Sequence, residues 1–391
     1  MLEGTGLGTP ACSPAGESIG EGSPGRYNSV FAGIAPTQTA GHRVPGGEPE
    51  AFRRGGRTAV HVLITGSSGQ IGTNLALQLL EEGEEVLGAD IRPNPWTEAV
   101  RTEVVDLCQG PGRMEAAMAG RRIDVVVHLA AHAKVYELVE HPERALENVD
   151  MTFTALELAR SRRVPFVFGS SREVYGEIRK IRQERPTNES DADFVVAESP
   201  YSASKIAGEA LLASYHRCYG MPYLVFRFSN VYGRYDNDLE RLERVVPLFI
   251  DRLRRGEPIT IFGREKVLDF TYVDDCVAGV IQGIRKLGEG ALHHATINLA
   301  TGQGHSLSEL AECIVAELRR RGELRGEPQV TYQPTRPGEV TRYIADISQA
   351  RRLLGYAPST SLPDGIAKAL GWQASFRPAP GGGAGQGAAH G

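Results

Sequence analysis

Short apolar segments alternate with helix-forming segments through the first half of the chain. The runs AVHVLIT, EVLGAD, DVVVHLA and PFVFGSS are rich in β-branched residues and apolar at successive positions. Such runs are typical of strands buried on both faces, and their alternation with helices is typical of a parallel sheet built from βαβ units. The pattern predicts an α/β fold with a doubly wound parallel sheet. After Arg227 the regularity loosens, which indicates a smaller mixed α/β lobe beside the sheet.

The two ends of the chain lack this pattern. Residues 1–57 are dominated by Gly, Pro, Ser, Thr, Ala and Glu without apolar periodicity, and residues 376–391 have a similar bias. Segments of such composition bury too little apolar surface to offset the entropy lost on ordering. We therefore predict a disordered leader over 1–57 and a disordered tail over 376–391.

The composition excludes several classes of partner. The 391 residues carry a formal net charge of -5, with lysines and arginines scattered along the chain. We therefore expect no basic face for nucleic acid or an anionic membrane. The five cysteines are far apart without metal-ligand spacing, and no run of about 18 apolar residues is present. These features predict a cytoplasmic protein without a metal site or a membrane span.

A glycine-rich turn connects the first strand to the first helix. In TGSSGQIG, the glycines Gly66, Gly69 and Gly72 have a GxxGxxG spacing, one residue different from the usual dinucleotide pattern GxGxxG. Glycine at such a turn allows positive φ and a close approach of the backbone to a diphosphate, which the helix N-terminus attracts. A glycine triplet alone is equally consistent with a turn that binds no ligand.

The second apolar strand ends at Asp90, 18 positions after Gly72. This is near the spacing at which a carboxylate meets the adenosine ribose of a dinucleotide, and it favours NAD over NADP. Asp90 could instead be a turn residue before Pro93. Arg92 leaves NADP as an alternative, because a guanidinium pairs well with a 2′-phosphate. Because of the position of Asp90, we expect NAD as the cofactor.

Tyr201 and Lys205 are four positions apart in YSASKIAGEALLASY. On a helix this spacing places both side chains on one face, and the preceding Ser-Pro pair suits a helix start. A neighbouring ammonium favours the phenolate, which predicts a lowered tyrosine pKa and a role as general base. In isolation such a spacing is usually coincidental.

Further motifs follow one another along the chain. They are GSSGQIG at the first turn, HLAA at 128–131, SSREVYG at 170–176, YSASK at 201–205 and RFSNVYG at 227–233. With these motifs the chain resembles the extended short-chain dehydrogenase/reductases, specifically the NAD-dependent nucleotide-sugar epimerases and dehydratases, from about Val60 to Trp372. The resemblance implies a mainly NAD-binding Rossmann-type domain over 58–229, a mainly substrate-binding lobe over 230–375, and homodimers.

The resemblance also implies roles for individual residues. Ser171 is expected to hydrogen-bond the C4 oxygen of the sugar, Tyr201 to act as the base, and Lys205 to hold the nicotinamide ribose. Cofactor contacts are expected from Gly66, Gly69, Gln70, Ile71, Gly72, Asp90, Arg92, Asp106, Leu107, Leu129, Ala130, Ala131, Tyr201 and Lys205. His128 is expected to pack at the end of its strand, without a part in the chemistry.

The expected substrate is a nucleotide-diphosphate sugar, and the resemblance implies that Asn230 and Arg336 contact its diphosphate. Read without the resemblance, Asn230 could cap a turn and Arg336 could be a solvated loop residue. Leu268 stands where relatives commonly carry an arginine. That contact is therefore expected to be missing, or to shift to Arg264 or Lys266.

A second departure lies directly after Ser171. The dehydratases that the chain resembles carry Asp and then Glu there, whereas this chain carries Arg172 and then Glu173. Arginine has no titration range for acid catalysis, which demotes 4,6-dehydration. Glu173 keeps proton transfer at C5 open, or is only a salt-bridged carboxylate. Arg172 could instead meet a C6 carboxylate, which would suit a uronate epimerase or decarboxylase.

The expected function is NAD-dependent epimerisation of a nucleotide sugar at C4 through a transient 4-keto intermediate. Dehydration and uronate decarboxylation begin with the same oxidation and are alternatives. A sugar reductase, which would consume NADH stoichiometrically, is another. A non-catalytic NAD-binding regulator is least favoured, because the serine, the tyrosine and the lysine are all present.

Overall fold

The computed structural model describes residues 59–176, 185–192, 197–236 and 244–376. The predicted leader over 1–57 and the predicted tail, apart from Phe376, lie outside these residues. The strands are β1 His61–Thr65, β2 Glu85–Asp90, β3 Thr102–Val104, β4 Val125–His128, β5 Phe166–Ser171, β6 Tyr223–Phe228, β7 Asn230–Tyr232, β8 Ile259–Phe262, β9 Val267–Tyr272, β10 His294–Leu299, β11 Gly304–Ser306, β12 Val330–Gln333 and β13 Arg342–Tyr343. The α-helices are α1 Gln70–Glu81, α2 Pro111–Ala117, α3 Val135–Glu140, α4 Glu143–Arg162, α5 Pro200–Tyr219, α6 Val245–Arg255, α7 Val273–Gly288, α8 Leu307–Arg321, α9 Ser348–Leu354 and α10 Leu362–Ser375.

Seven strands form one sheet in the order β10-β6-β5-β4-β1-β2-β3, and every neighbouring pair is parallel. The order runs from β1 to β3 in one direction and to β6 and β10 in the other, which is the doubly wound arrangement. β1 and β4 are neighbours where the direction reverses, and Thr65 pairs with His128 at their carboxyl ends. Ligands bind outside the carboxyl ends of strands at such a point. The predicted fold class is confirmed.

The sheet is buried on both faces. Val62 and Ile64 of β1 belong to one apolar cluster, whereas Leu63 between them belongs to a second. In β4, Val127 joins the first cluster and Val126 the second. Successive side chains of a strand point to opposite faces. Runs that are apolar at every position therefore supply a core on each side of the sheet.

The chain after β6 builds the smaller lobe. In one sheet β9 pairs in parallel with β7 and β13 and antiparallel with β11, and β8 pairs with β12 in another. The carboxylate of Asp269, in the middle of β9, accepts hydrogen bonds from the backbone N–H groups of Thr301 at 2.9 Å and Gly302 at 2.8 Å. This buried carboxylate ties the small sheet to the loop that follows β10, so the two parts of the fold are directly connected.

The ends of α5, the helix that carries Tyr201 and Lys205, follow from local sequence. The Ser199 hydroxyl accepts a hydrogen bond from the Ser202 N–H, and the Ser202 hydroxyl accepts one from the Ser199 N–H. Such reciprocal capping satisfies N–H groups that a helix start leaves unpaired. Pro200 occupies the first helical position, and Gly220 ends the helix with a φ of 69°. The predicted helix start at the Ser-Pro pair is confirmed.

Candidate active site

A cavity of about 940 Å³ lies at the carboxyl ends of β1, β2, β4 and β5. This volume suits a site for a cofactor and a small-molecule substrate. Of the predicted site residues, those that line the cavity are Gly66, Gly69, Gln70, Ile71, Gly72, Asp90, Arg92, Asp106, Leu107, Leu129, Ala130, Ala131, Ser171, Arg172, Glu173, Tyr201, Lys205, Asn230 and Arg336. Motifs that are far apart in the sequence therefore converge on one cleft.

The glycine-rich turn fits closely against neighbouring backbone. Gly66 has a φ of 73°, and a Cβ there would lie 2.6 Å from the Ala130 nitrogen. A Cβ on Gly72 would lie 2.2 Å from the Gly66 carbonyl oxygen. Side chains at these two positions would therefore collide with packed backbone and displace the turn that leads into α1. A helix N-terminus of this kind attracts a diphosphate through its unpaired N–H groups and its dipole.

Asp90 lies next to this turn, at the end of β2. Its Oδ2 atom accepts a hydrogen bond from the Ser68 N–H at 3.0 Å, and only 8% of the residue is exposed. Arg92 and Asp106 line the same part of the cavity. A carboxylate held here suits the ribose hydroxyls of NAD and repels a 2′-phosphate.

Ser171 and Tyr201 come together where β5 ends and α5 begins. Both residues line the cavity, and only 7% of Tyr201 is exposed. Burial raises the pKa of Tyr201 to about 12, although the hydrogen bond with Ser171 opposes the shift. The Glu173 carboxylate raises this pKa further, whereas the Arg244 and Arg172 guanidinium groups lower it.

Lys205 lies one helical turn after Tyr201. Its Nζ atom donates a hydrogen bond to the Gly169 carbonyl oxygen of β5 at 2.8 Å and lies 5.9 Å from the centre of the Tyr201 ring. Burial lowers the pKa of Lys205 to about 8. The expectation that the Lys205 ammonium lowers the tyrosine pKa is wrong for this arrangement. Burial determines the direction of the tyrosine shift, and the ammonium is engaged by the strand.

His128 has a structural role at the end of β4, as expected. The residue is 1% exposed, and its ring nitrogens make hydrogen bonds to the Thr65 hydroxyl at 2.7 Å and the Thr152 hydroxyl at 3.2 Å. Burial, followed by the charge of Lys205, lowers the pKa of His128 to about 3. The ring is therefore neutral, and its hydrogen bonds join β1, β4 and α4.

Arg172 and Glu173 form an ion pair directly after Ser171. Arg172 Nη2 lies 2.9 Å from Glu173 Oε1, and the two side chains are 12% and 6% exposed. The other terminal nitrogen of the guanidinium, Nη1, is buried and has no hydrogen-bond partner among the described residues. The Nη2 atom of Arg172 is therefore paired with Glu173, and its Nη1 atom can still donate a hydrogen bond.

A second buried ion pair fixes α5 against the sheet. Glu209, one turn after Lys205, accepts hydrogen bonds from Arg227 Nε at 3.0 Å and Arg227 Nη2 at 2.7 Å. It also accepts one from the Ser170 hydroxyl at 2.6 Å. Arg227 Nη1 donates to the Tyr175 hydroxyl at 3.0 Å. These contacts connect β5, α5 and β6 around the residues that precede and follow Ser171.

Arg336 and Asn230 line the cavity from the part of the chain that builds the smaller lobe. The Arg336 guanidinium carbon is 3.9 Å from the centre of the Phe262 ring and 5.3 Å from that of Tyr136. Arg336 is a half-buried loop residue whose guanidinium packs against aromatic rings. Asn230 Nδ2 donates a hydrogen bond to the Asp269 carbonyl oxygen at 3.0 Å.

Arg264 does not line the cavity. Its guanidinium carbon is 4.8 Å from the centre of the Tyr332 ring, near the edge of the small two-stranded sheet. Lys266 is paired with Glu339, with its Nζ atom 2.6 Å from the carboxylate, and Leu268 is buried. Glu339 lines the cavity, so the Lys266 charge is engaged beside the site.

Asp236 and Arg244 are among the charged residues that line the cavity and that sequence reasoning missed. Arg244 Nη1 donates to Asp236 Oδ1 at 3.0 Å and to the side-chain oxygen of Gln70, at the start of α1. Burial raises the pKa of Asp236 to about 7, although Arg244 opposes the shift. Arg244 and Gln70 are 174 positions apart, so no local sequence pattern could have indicated this contact. Only the position of Asp236, three residues after RFSNVYG, could have drawn attention to it.

The family model described as NAD dependent epimerase/dehydratase family matches residues 62–300. The chain belongs to this family. The dTDP-glucose 4,6-dehydratase of Streptomyces griseus is 32% identical over 336 residues, 81% of this chain and 95% of that protein. UDP-glucuronate 4-epimerase 1 of Arabidopsis thaliana is 29% identical over 355 residues, 84% of this chain and 79% of that protein. A crystal structure of the Thermotoga maritima UDP-glucose 4-epimerase with UDP-glucose has 30% identity and a TM-score of 0.72, covering 81% of this chain and 99% of that one.

Membership of this family confirms the resemblance drawn from the motifs. The protein is an NAD-dependent enzyme of the epimerase and dehydratase kind, and the alternative of a non-catalytic regulator is set aside. The bare backbone at Gly66 and Gly72 and the carboxylate of Asp90 fit NAD. Within the described ranges, none of the helices is both long and apolar enough to cross a membrane.

Proposed function

We propose that this enzyme epimerises a nucleotide-diphosphate sugar at C4 through a transient 4-keto sugar. The observation that carries the proposal is that Ser171 and Tyr201 line the same cavity, while the residue after Ser171 is Arg172 and not an acid. Oxidation at C4 is shared by the epimerases, dehydratases and decarboxylases that the sequence suggested. The residues beside the pair therefore discriminate among the reactions that can follow.

Tyr201 acts as the base that takes the proton of the C4 hydroxyl, and Ser171 holds the same oxygen. The turn at Gly66 and Gly72 and the Asp90 carboxylate would hold NAD, which would supply the hydride acceptor and donor for C4. A phenol with a pKa of about 12 is almost entirely protonated at neutral pH, so positive charge nearby is needed to stabilise the phenolate that acts as the base. The guanidinium groups of Arg172 and Arg244 lower this pKa, and the burial of Tyr201 limits the access of water to its hydroxyl group.

Dehydration needs an acid for the C6 hydroxyl and a base for the C5 proton. Arg172 stays protonated and cannot supply the acid at its position. Glu173, the candidate base, is buried against Arg172 at 2.9 Å. A carboxylate paired with a guanidinium is less basic than a free one. This ion pair supports epimerisation over dehydration, with the hydride returning to the opposite face of C4.

A uronate substrate is the second candidate, and Arg172 is the observation that favours it. Its Nη1 atom is buried without a hydrogen-bond partner in the described part of the chain. A C6 carboxylate would satisfy this donor, and a relative in Arabidopsis thaliana is named as a UDP-glucuronate 4-epimerase. Replacement by alanine should then reduce uronate turnover far more than neutral-sugar turnover. Equal effects on both would remove this candidate, which includes uronate decarboxylation.

We assign the diphosphate of the substrate to Arg336 and Asn230. Arg336 lines the cavity from the smaller lobe, and its guanidinium is oriented by two aromatic rings. An oriented guanidinium binds a phosphate oxygen pair well. This assignment agrees with cofactor binding mainly by residues 58–229 and substrate binding mainly by residues 230–375.

We also propose that the enzyme forms homodimers through α4 and α5. Leu146 and Phe153 of α4 are 70% and 43% exposed and are seven positions apart, so they lie on one face of the helix. Exposed apolar side chains on one helix face are typical of an interface. Sedimentation equilibrium should show a dimer that Leu146→Glu converts to monomers. A wild-type protein that is monomeric at every concentration would contradict this assignment.

The proposed reaction is tested by incubating the purified protein with a panel of nucleotide sugars and measuring the masses of the products. Epimerisation leaves the mass unchanged, whereas dehydration removes water and decarboxylation removes CO2. A reductase would consume NADH in proportion to product. We expect a C4 epimer of unchanged mass without net NADH consumption.

A further inference from the structure

Four aromatic rings gather beside the glycine-rich turn, outside the cavity. Trp96 comes from the loop between β2 and β3, Tyr235 from the segment after β7, and Trp372 and Phe376 from α10 and the residue after it. The closest ring centres are those of Trp372 and Phe376 at 4.7 Å and of Tyr235 and Trp372 at 4.9 Å. Trp96 lies 6.0 Å from Tyr235 and 5.8 Å from Phe376. We call these four residues the aromatic cluster. It joins segments that are far apart in sequence.

The loop that carries Trp96 holds two carbonyl groups of the turn. The indole N–H of Trp96 donates to the Ser68 carbonyl oxygen at 3.2 Å. The amide of Asn94, two residues earlier, donates to the Ser67 carbonyl oxygen and to the Thr73 hydroxyl, both at 3.0 Å. Because a peptide unit is planar, fixing a carbonyl also fixes the direction of the next N–H. These bonds therefore restrict the backbone that leads into α1.

Tyr235 connects the aromatic cluster to the other side of the turn. Its φ of 58° is a left-handed conformation that is costly for a tyrosine. The preceding carbonyl, of Arg234, accepts a hydrogen bond from Asn74 of α1 at 3.1 Å. The next residue, Asp236, lines the cavity and is paired with Arg244. The ring contacts of Tyr235 thus hold the segment that presents Asp236 to the cavity.

We propose that Trp96 and Trp372 are positioning residues for NAD, because the aromatic cluster holds the glycine-rich turn in the conformation that receives the diphosphate. A turn that is already ordered loses less entropy when a ligand binds, so its affinity is higher. Neither tryptophan lines the cavity, so both act on the cofactor through the turn. Trp372 extends this dependence to α10, the last helix among the described residues. The inference concerns cofactor affinity and does not rest on the reaction proposed above.

The test is the affinity for NAD, measured without any sugar. Trp96→Phe keeps an aromatic ring but removes the indole N–H, and loss of one hydrogen bond should weaken NAD binding about 5-fold. Trp372→Ala removes ring contacts and should weaken it about 10-fold, whereas Trp372→Phe should restore most of the affinity. Tyr219→Phe, on an exposed ring of α5, is the matched control and should leave the affinity unchanged. Turnover at saturating NAD should stay within about 2-fold of wild type in Trp96→Phe and Trp372→Phe.

Tryptophan fluorescence gives an independent readout. The chain has two tryptophans, and both belong to the aromatic cluster, so the emission should change when NAD binds. Unchanged NAD affinity in Trp96→Phe and Trp372→Ala would overturn the proposal. It would also be overturned if NAD affinity, sugar KM and melting temperature deteriorated together without recovery in Trp372→Phe, since that pattern indicates a purely structural role. If Trp372→Ala does not fold, the NAD affinities of Trp96→Phe and Trp372→Phe decide whether the tryptophans position the turn.

Discussion

The buried pair of Glu209 and Arg227 should make an unusually large contribution to stability. The two side chains are 5% and 3% exposed, and the carboxylate accepts two hydrogen bonds from the guanidinium and one from Ser170. Glu209→Ala leaves the guanidinium buried without its counter-ion, which typically costs about 3–5 kcal/mol of unfolding free energy. Replacing both residues by methionine removes both charges. The double variant should therefore lose clearly less unfolding free energy than the sum of the losses in Glu209→Met and Arg227→Met.

Urea unfolding with linear extrapolation measures these differences directly. The matched control is Asp251→Ala, which removes a carboxylate from a pair whose side chains, those of Asp251 and Arg255, are 30% and 61% exposed. That change should cost less than about 1 kcal/mol. Glu209 lies one turn after Lys205 and bonds the residue before Ser171, so its loss should also reduce kcat. A cost below about 1 kcal/mol for Glu209→Ala, or strict additivity in the double variant, would refute the reasoning.

Three further predictions concern the cavity. Lys205→Met should abolish turnover yet raise unfolding free energy at pH 7 by about 1–2 kcal/mol, because burial lowers the pKa of Lys205 from 10.5 to about 8. Urea titrations at increasing pH should show that gain shrinking between these two values, and a constant gain would contradict the assignment. Gly72→Ala should weaken NAD binding at least about 10-fold by titration, because its Cβ would lie 2.2 Å from the Gly66 oxygen. Gly112→Ala, where a Cβ meets nothing within 4 Å, is the control. Asp236→Asn should gain stability relative to wild type as pH rises from 3.8 to about 7, since burial raises the pKa of Asp236 and ionisation then destabilises the wild-type fold. Thermal melts across this range should show the difference growing, and a difference that does not change with pH would exclude this explanation.

The predictable parts of the molecule depend on local chemistry. The strands follow from runs such as DVVVHLA, and the start of α5 follows from Ser199 and Pro200. The turn at Gly66 was predictable because only glycine fits a positive φ against neighbouring backbone. The joint site of Ser171 and Tyr201 was implied by the family resemblance, and the position of Ser171 follows from its place at the carboxyl end of a parallel strand.

The parts that could not be predicted depend on contacts across the fold. Arg244 and Gln70 are 174 positions apart, and no periodicity links them. The pKa of Tyr201 was expected to fall because Lys205 is its sequence neighbour, but burial by the whole site raises it. Arg264 is close in sequence to the expected diphosphate contact, yet its guanidinium lies over Tyr332, away from the cavity.

The proposed epimerisation requires Tyr201 to remove the proton of the C4 hydroxyl while the hydrogen on C4 itself leaves and returns. UDP-glucose and UDP-glucuronate that carry deuterium at C4 test this directly, with NMR and mass detection for the wild type and for Tyr201→Phe. The predicted result is a C4 epimer of at least one of the two sugars, with unchanged mass and deuterium retained at C4, formed by the wild type and not by Tyr201→Phe. A product lighter by water or CO2 would contradict the proposed epimerisation, and equal turnover by Tyr201→Phe would contradict the role of Tyr201 as the base.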